Sequence, residues 1–172
     1  MRALFSIFCM AMFSVIVGCS TNSLKISNSV TLCCPGNYAQ YRSYGIETVD
    51  MPLFLSSYVV EEFDKAFQEK GLTRNDNIND LHVTLTYRHV NLDPGQQNIN
   101  PFIRQEDIDV ELNYIATVLI DMTETATGKE VWSGKINRIH RVTPGEYMHE
   151  GRARIAFLET FRDLLTHYPS QE

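Results

Sequence analysis

The run from Ile108 to Met122 constrains this chain most. Ile108, Val110, Leu112, Tyr114, Ala116, Val118, Ile120 and Met122 recur two apart, with Asp107, Asp109, Glu111, Asn113, Thr117 and Asp121 between them. A period of two sends alternate side chains to opposite faces of a strand. One face is therefore apolar and the other polar, with Ile115 and Leu119 as exceptions. A strand of this kind belongs in an antiparallel sheet with one solvated side. Its apolar side needs a second layer to cover it. Thr123 to Gly128 reads as a turn, and Lys129 to Val142 as the returning partner strand. That partner alternates poorly: Val131 and Trp132 are both apolar and Gly134 follows, which predicts a bulge near Trp132–Gly134.

The remaining elements follow from period and punctuation. Gln40 to Val49 is strand-like. Asp50-Met51-Pro52 then reads as a helix start, with Asp50 as the cap and Pro52 in the first turn. Leu55, Tyr58, Val59, Phe63, Ala66 and Phe67 share one helical stripe, while Glu61, Glu62, Asp64, Lys65 and Gln68 mostly lie off it. Lys70-Gly71-Leu72 closes the helix with a cation, a glycine for the left-handed turn and an apolar residue. Asn75 to Asp80 is a polar loop. Leu81, Val83, Leu85 and Tyr87 alternate with His82, Thr84, Thr86 and Arg88 as a half-buried strand. Asn91 to Gln105 contains Asp93-Pro94-Gly95 and Asn100-Pro101 and reads as a long loop. Thr143-Pro144-Gly145-Glu146 has capping-box spacing. Ile155, Phe157, Leu158, Phe161, Leu164, Leu165 and Tyr168 form the apolar face of a last helix, which Pro169 ends. Gly151 marks either a break before that helix or a weak spot inside it. Arg152 and Arg154 sit near its start, where the helix dipole disfavours them; either they serve a contact or the helix begins earlier. The expected fold is a two-layer α+β domain in the order strand, helix, three strands, helix, with a mainly antiparallel sheet.

The amino terminus carries a separate message. Met1-Arg2 precedes an almost wholly apolar stretch, Ala3 to Val17, and then Gly18-Cys19. A positive start, a short apolar core and a small residue before the cut make a secretory signal. The stretch falls short of the roughly 20 residues of a transmembrane helix. Ile16-Val17-Gly18-Cys19 resembles the bacterial lipoprotein signal. That resemblance implies a lipid on Cys19, cleavage before it and acylation of the new amino terminus. A single acyl chain holds only marginally, whereas two or more hold stably. Ser20 follows, where Asp would imply inner-membrane retention. The resemblance therefore implies the periplasmic face of the outer membrane.

Residues 1–18 are accordingly expected to be signal, 19–37 a tether, 38–169 one periplasmic domain and 170–172 a tail. Loss of the signal removes Arg2 alone among charged residues, leaving 14 basic against 21 acidic residues, a formal charge of -7. This balance argues against a nucleic-acid footprint, which requires a basic patch. The tether is rich in Ser, Thr and Asn. It holds Cys33-Cys34. A bond between adjacent cysteines strains the backbone, because their Cα atoms stand closer than a disulfide prefers. Two plain thiols or an intermolecular bridge are therefore preferred to a vicinal disulfide. The pair is neither a metal site nor a C-x-x-C redox motif.

Catalytic signals are sparse. The histidines are His82, His89, His140, His149 and His167, with no H-E-x-x-H or H-x-x-E-H spacing. His82 and His89 fall on opposite faces of their strand. Glu106, Asp107, Asp109 and Glu111 alternate outward as a solvated face rather than pairing for acid–base work. Ser56-Ser57 lacks a nucleophile-elbow context, and there is no phosphate-cradling glycine loop. The expectation is no enzyme, no metal and no cofactor. The candidate partner contacts are Trp132, the only tryptophan, and Arg138, Arg141, Arg152 and Arg154, the main basic concentration. The alternative roles are structural: Trp132 packing on the sheet, and the arginines balancing the acidic strand opposite.

Asp121-Met-Thr-Glu-Thr-Ala-Thr-Gly128-Lys129-Glu130-Val131-Trp132-Ser133-Gly134 resembles the hairpin of a family of small bacterial lipoproteins known as domain of unknown function forty-one thirty-six. Tyr41 to Tyr44, Lys70-Gly71-Leu72, Asn79-Asp80-Leu81 and the ending Tyr168-Pro169 extend the resemblance over about Tyr38 to Pro169. The Cys33-Cys34 pair and the loop from Pro94 to Ile103 depart from it. The family brings no catalytic residues. Sequence and resemblance together lead to a non-enzymatic envelope lipoprotein, anchored to the membrane through the lipid on Cys19, whose domain binds an envelope protein partner or stabilises an envelope assembly. The alternatives are an accessory factor of an envelope transport or cell-wall synthesis machine, and a hydrolase or metal binder.

Overall fold

A computed structural model describes residues 27–31, 36–93, 95, 111–142 and 150–169. Their elements are β1 (Ser27–Thr31), β2 (Ser43–Val49), α1 (Leu53–Gln68), β3 (Thr73–Arg74), β4 (Leu81–Asn91), β5 (Leu112–Glu124), β6 (Lys129–Val142) and α2 (Glu150–Leu164). All six strands form one sheet in the order β1-β6-β5-β4-β2-β3. The fold is α+β, with α1 and α2 packed beside each other over one face. The sheet is mainly antiparallel, as expected, but mixed: β1, β6, β5 and β4 pair antiparallel, whereas β2 pairs parallel with both β4 and β3. Parallel neighbours need a crossover, and α1 supplies it between β2 and β4.

Two strands escaped the sequence reading. Ser27–Thr31 lies inside the expected tether, yet it pairs with β6 from Ser27↔Asn137 to Thr31↔Ser133. Its composition is mostly polar because it is an edge strand held largely by backbone bonds, with Val30 packed on the core. Thr73–Arg74 is too short for any period to register. The helix start is also corrected. Asp50 adopts a left-handed φ of 54° in the turn, and Pro52 holds the cap position without a side-chain cap bond. The close of α1 follows expectation: Gly71 has φ 86°, and Leu72 is buried.

The inner face of β5 carries Leu112, Tyr114, Val118, Ile120 and Met122, all buried, as the alternation required. Leu81, Val83, Leu85 and Tyr87 of β4 continue the same layer. Phe63 and Phe67 of α1 and Phe161 and Leu164 of α2 close over it. On α2, Ile155 departs from the expected apolar face and is 61% exposed, while Ala153 and Thr160 are buried instead. Gly151 lies inside α2 (Glu150–Leu164) among the described residues. The strands run between two ends. One, the hairpin end, holds the Gly128 turn, Leu81 and Tyr44; the other, the open end, holds Asn91 and Leu112. The expected bulge is displaced slightly. The register slips between Met122↔Trp132 and Thr123↔Glu130, so Val131 is the extra residue. This explains why Val131 and Trp132, adjacent in sequence, are both buried.

Candidate functional site

The hairpin that carries the family resemblance is a structural joint. Gly128, with φ 68°, donates its N–H to the Glu124 carbonyl at 2.8 Å, and Thr127 Oγ1 donates to Glu124 Oε2 at 2.6 Å. Trp132 is wholly buried, which removes it from the candidate partner contacts. Its ring crosses Gly134, where an added Cβ would stand 2.5 Å from Trp132 Cη2 and 3.1 Å from Leu164. Gly134 is thus the floor on which the indole lies under α2. Its role is close approach, not the bulge that the sequence suggested.

Beside the hairpin, Asp80 ties the start of β4 to β2. Its Oδ2 accepts from the Arg42 N–H at 2.8 Å, the Ser43 N–H at 2.9 Å and Ser43 Oγ at 3.0 Å. The Arg42 amide, aided by those of Ser43 and opposed by partial burial, holds the carboxyl below its ordinary pKa. Asn79 and Thr125 join the same knot through Thr125 Oγ1 to Asn79 Oδ1 at 2.7 Å.

The arginines do not form one patch. Arg141 lies on the outer face of β6 and grips Glu111 with Nε at 2.5 Å and Nη2 at 3.0 Å. Arg138 lies on the inner face, and its Nε is buried without a hydrogen-bond partner among the described residues. Arg152 is exposed on α2. Arg154 is the centre of an inter-helix node. Its Nη1 reaches Glu61 at 2.5 Å and Glu62 at 3.1 Å, its Nε reaches Glu150 at 3.0 Å, and its guanidinium lies 4.9 Å from the centre of the Tyr58 ring. The contact suspected from its unfavourable place near the helix start is therefore α1. Burial alone would raise the Glu62 pKa, but hydrogen bonds from Lys65 and Arg154 outweigh it and lower the pKa. Glu62 was read as off the apolar stripe, yet it is 2% exposed. Periodicity could not find it, because a partner 92 residues away makes its burial tolerable.

Towards the open end the inner face turns aromatic and polar. His140 stacks on Tyr114 with centroids 5.0 Å apart, and His89 meets the edge of Tyr114 at 6.4 Å. Burial, with Arg138 nearby, pushes the His140 pKa down to about 4, so the imidazole is neutral at pH 7. Burial raises the Tyr87 and Tyr114 phenols. His82 faces the other side, as its odd spacing from His89 required, and meets Glu47 at 3.0 Å. Among the described residues no three His, Cys, Asp or Glu side chains are grouped to hold a metal ion. The same residues contain no helix long and apolar enough to cross a membrane. Cys19, Cys33, Cys34, His149, most of the Pro94–Ile103 loop and the Thr143–Glu146 capping sequence lie outside the described residues.

No family model and no curated protein matches the chain. Solved structures do. A PDZ domain protein from Parabacteroides distasonis is similar with a TM-score of 0.54 at 15% identity, covering 98% of this chain and 40% of that one. The chain thus spans well under half of that protein, and the likeness shows a shared fold. The PelC dodecamer from Paraburkholderia phytofirmans gives 0.48 at 9% identity, over 83% of this chain and 96% of that one. A minor lipoprotein from Acinetobacter baumannii gives 0.42 at 12% identity, over 74% and 92%.

Proposed function

We propose that the protein is a non-enzymatic lipoprotein, held by lipid on Cys19 at the periplasmic face of the outer membrane, whose single domain binds an envelope protein. The observation that carries this reading is Ile16-Val17-Gly18-Cys19 placed directly behind the apolar stretch. One feature of the domain supports the non-enzymatic part: the charged cluster around Arg154 is consumed in joining α1 to α2. The test is Cys19→Ala, which is expected to leave the protein uncleaved or to release it from the membrane pellet. A variant that still fractionates as mature and membrane-bound would sink the reading.

The second reading, an accessory factor of a transport or cell-wall machine, loses ground through β1. With Ser27 already in the sheet, seven residues, Ser20 to Ile26, separate Cys19 from it. They reach about 26–29 Å from Cys19 to Ser27, not the roughly 60 Å of an unstructured stretch to residue 37. Crosslinking in intact envelopes followed by mass spectrometry separates the readings by the partner recovered.

A further inference from the structure

We infer that the protein pairs with a second copy of itself through the outer face of the sheet, about a two-fold axis that runs along β5. This goes beyond the reading above and does not depend on lipid at Cys19.

The contact residues share one face by register. α1 and α2 close over the inner face, and no described element crosses the outer one. The outward residues of β5 include Ile115, Thr117, Leu119 and Asp121, since Tyr114, Val118, Ile120 and Met122 point to the core. Ile115 and Leu119 are the two residues that broke the polar side of the alternation. Their surroundings continue them. Val90 and Ile139 flank Ile115 in one cross-strand row, and Val49 lies in the row of Leu119 with Thr86 between them. Val90 is 62% exposed, Ile139 46% and Val49 36%. Single exposed apolar residues are ordinary, but a contiguous group on the outer face of neighbouring strands marks a contact.

A second copy suits this face because it is self-complementary about β5, as a two-fold interface requires. The axis sets Ile115 and Leu119 on themselves and Val90 on the partner's Ile139, all apolar pairs. Arg88 comes over the partner's Asn137. Lys135 comes over the partner's Thr86, one row from the partner's Glu47 and Asp121, so the basic groups meet polar or acidic ones. An axis across the strands would have to pass through Thr117 to join Ile115 with Leu119. It would then press Arg88, in the row of Thr117, against its own copy. Aligned sheets cross at about 30°, so β5 and its copy diverge on either side of Thr117. Asp121, four residues on, stands about 7 Å to the side of its counterpart and is not forced onto it.

The face is also large enough. From β2 to β1 it is about 24 Å wide, and from the row of Asp121 to that of Ile115 about 24 Å long, on the order of 600 Å² of plane. Side chains standing out of that plane raise the accessible area towards the roughly 800 Å² per partner of a standard interface.

The test is sedimentation equilibrium of the full-length protein, purified in a neutrally buoyant detergent, at chain concentrations up to the micromolar range. A reversible dimer is expected. Ile115→Lys/Leu119→Lys places like charges on the axis and should weaken it at least tenfold. Val90→Ser/Ile139→Ser, at exposed positions that leave the fold intact, should weaken it several-fold and carries the test if the lysine variant does not unfold cooperatively in urea. Asp121→Asn removes the like-charge pair nearest the axis and should tighten the dimer. Ile155→Lys alters an apolar residue on α2 that is 61% exposed and should leave the dimer unchanged. A protein monomeric at every concentration overturns the pairing. A dimer that survives both face variants, as edge pairing through β1 would, or that Ile155→Lys weakens equally, overturns the face. A dimer not tightened by Asp121→Asn overturns the axis.

Discussion

The two ends of the sheet are built on different principles. At the hairpin end, nearly every group is tied: Asp80 binds three donors, Glu124 accepts from the Gly128 turn, and Trp132 lies sealed between Gly134 and α2. At the open end, large apolar side chains stay in solvent and aromatic rings stack around a neutral His140. The contrast teaches that stability and surface have been assigned to opposite ends. Substitutions at the first should unfold the protein, and substitutions at the second should leave it folded and alter only what it touches.

The largest effect should come from Trp132→Ala. It empties the space beneath α2 and should lower the unfolding free energy by about 3–5 kcal/mol, read as a drop in the urea midpoint. Gly134→Ala attacks the same joint from below. Its new methyl overlaps the indole and should cost about 1–3 kcal/mol. If either is neutral, the hairpin end is not the stable end.

Asp80→Ala removes the acceptor for the Arg42 and Ser43 donors and should cost about 1–3 kcal/mol at pH 7. Its pH dependence has a definite sign. The folded pKa of Asp80 is depressed, so its contribution is present above the unfolded value of about 3.9 and lost as pH falls through the folded value. His140 acts in a different window. Its folded pKa of about 4 lies below the unfolded value of about 6.5, so stability drains as pH falls between the two. Unfolding at stepped pH should show the upper limb flattened in His140→Phe and the lower limb flattened in Asp80→Ala. A wild-type profile level from pH 7 to pH 4 would refute the first assignment.

Arg154→Met should be milder, since its guanidinium is partly exposed. It leaves Glu62 buried with only Lys65 as partner. The loss in melting temperature should be greatest at pH 7 and shrink towards pH 3, because the Glu62 contribution disappears as the carboxyl protonates. The smallest effects belong to Val90→Thr and Ile139→Thr, each expected within about 0.5 kcal/mol of wild type by denaturant unfolding. A large loss there would mean that the open end is part of the core after all.

Much of the fold was legible because period two and period 3.6 report burial directly. The β4–β6 layer, the α1 stripe and the Gly71 and Gly128 turns all came from residues that pack or turn locally. The misses share one cause. β1 and β3 are held by backbone pairing to distant strands, and their side chains carry no signal of it. Glu62 is buried because Arg154 arrives from another helix. The candidate contacts fared similarly. Sequence proximity grouped Arg138 with Arg141, but their odd spacing of three along one strand sent them to opposite faces.

The sequence by itself determined that a one-sided sheet would be covered by two amphipathic helices, because hydrophobic period is a property of neighbouring residues. Only the tertiary structure decided that β2 joins in parallel, that Ser27 is already in the sheet and that Arg154 meets Glu61 and Glu62. Those facts depend on which distant segments meet. A single chain's pattern does not encode that meeting locally; packing and backbone pairing select it.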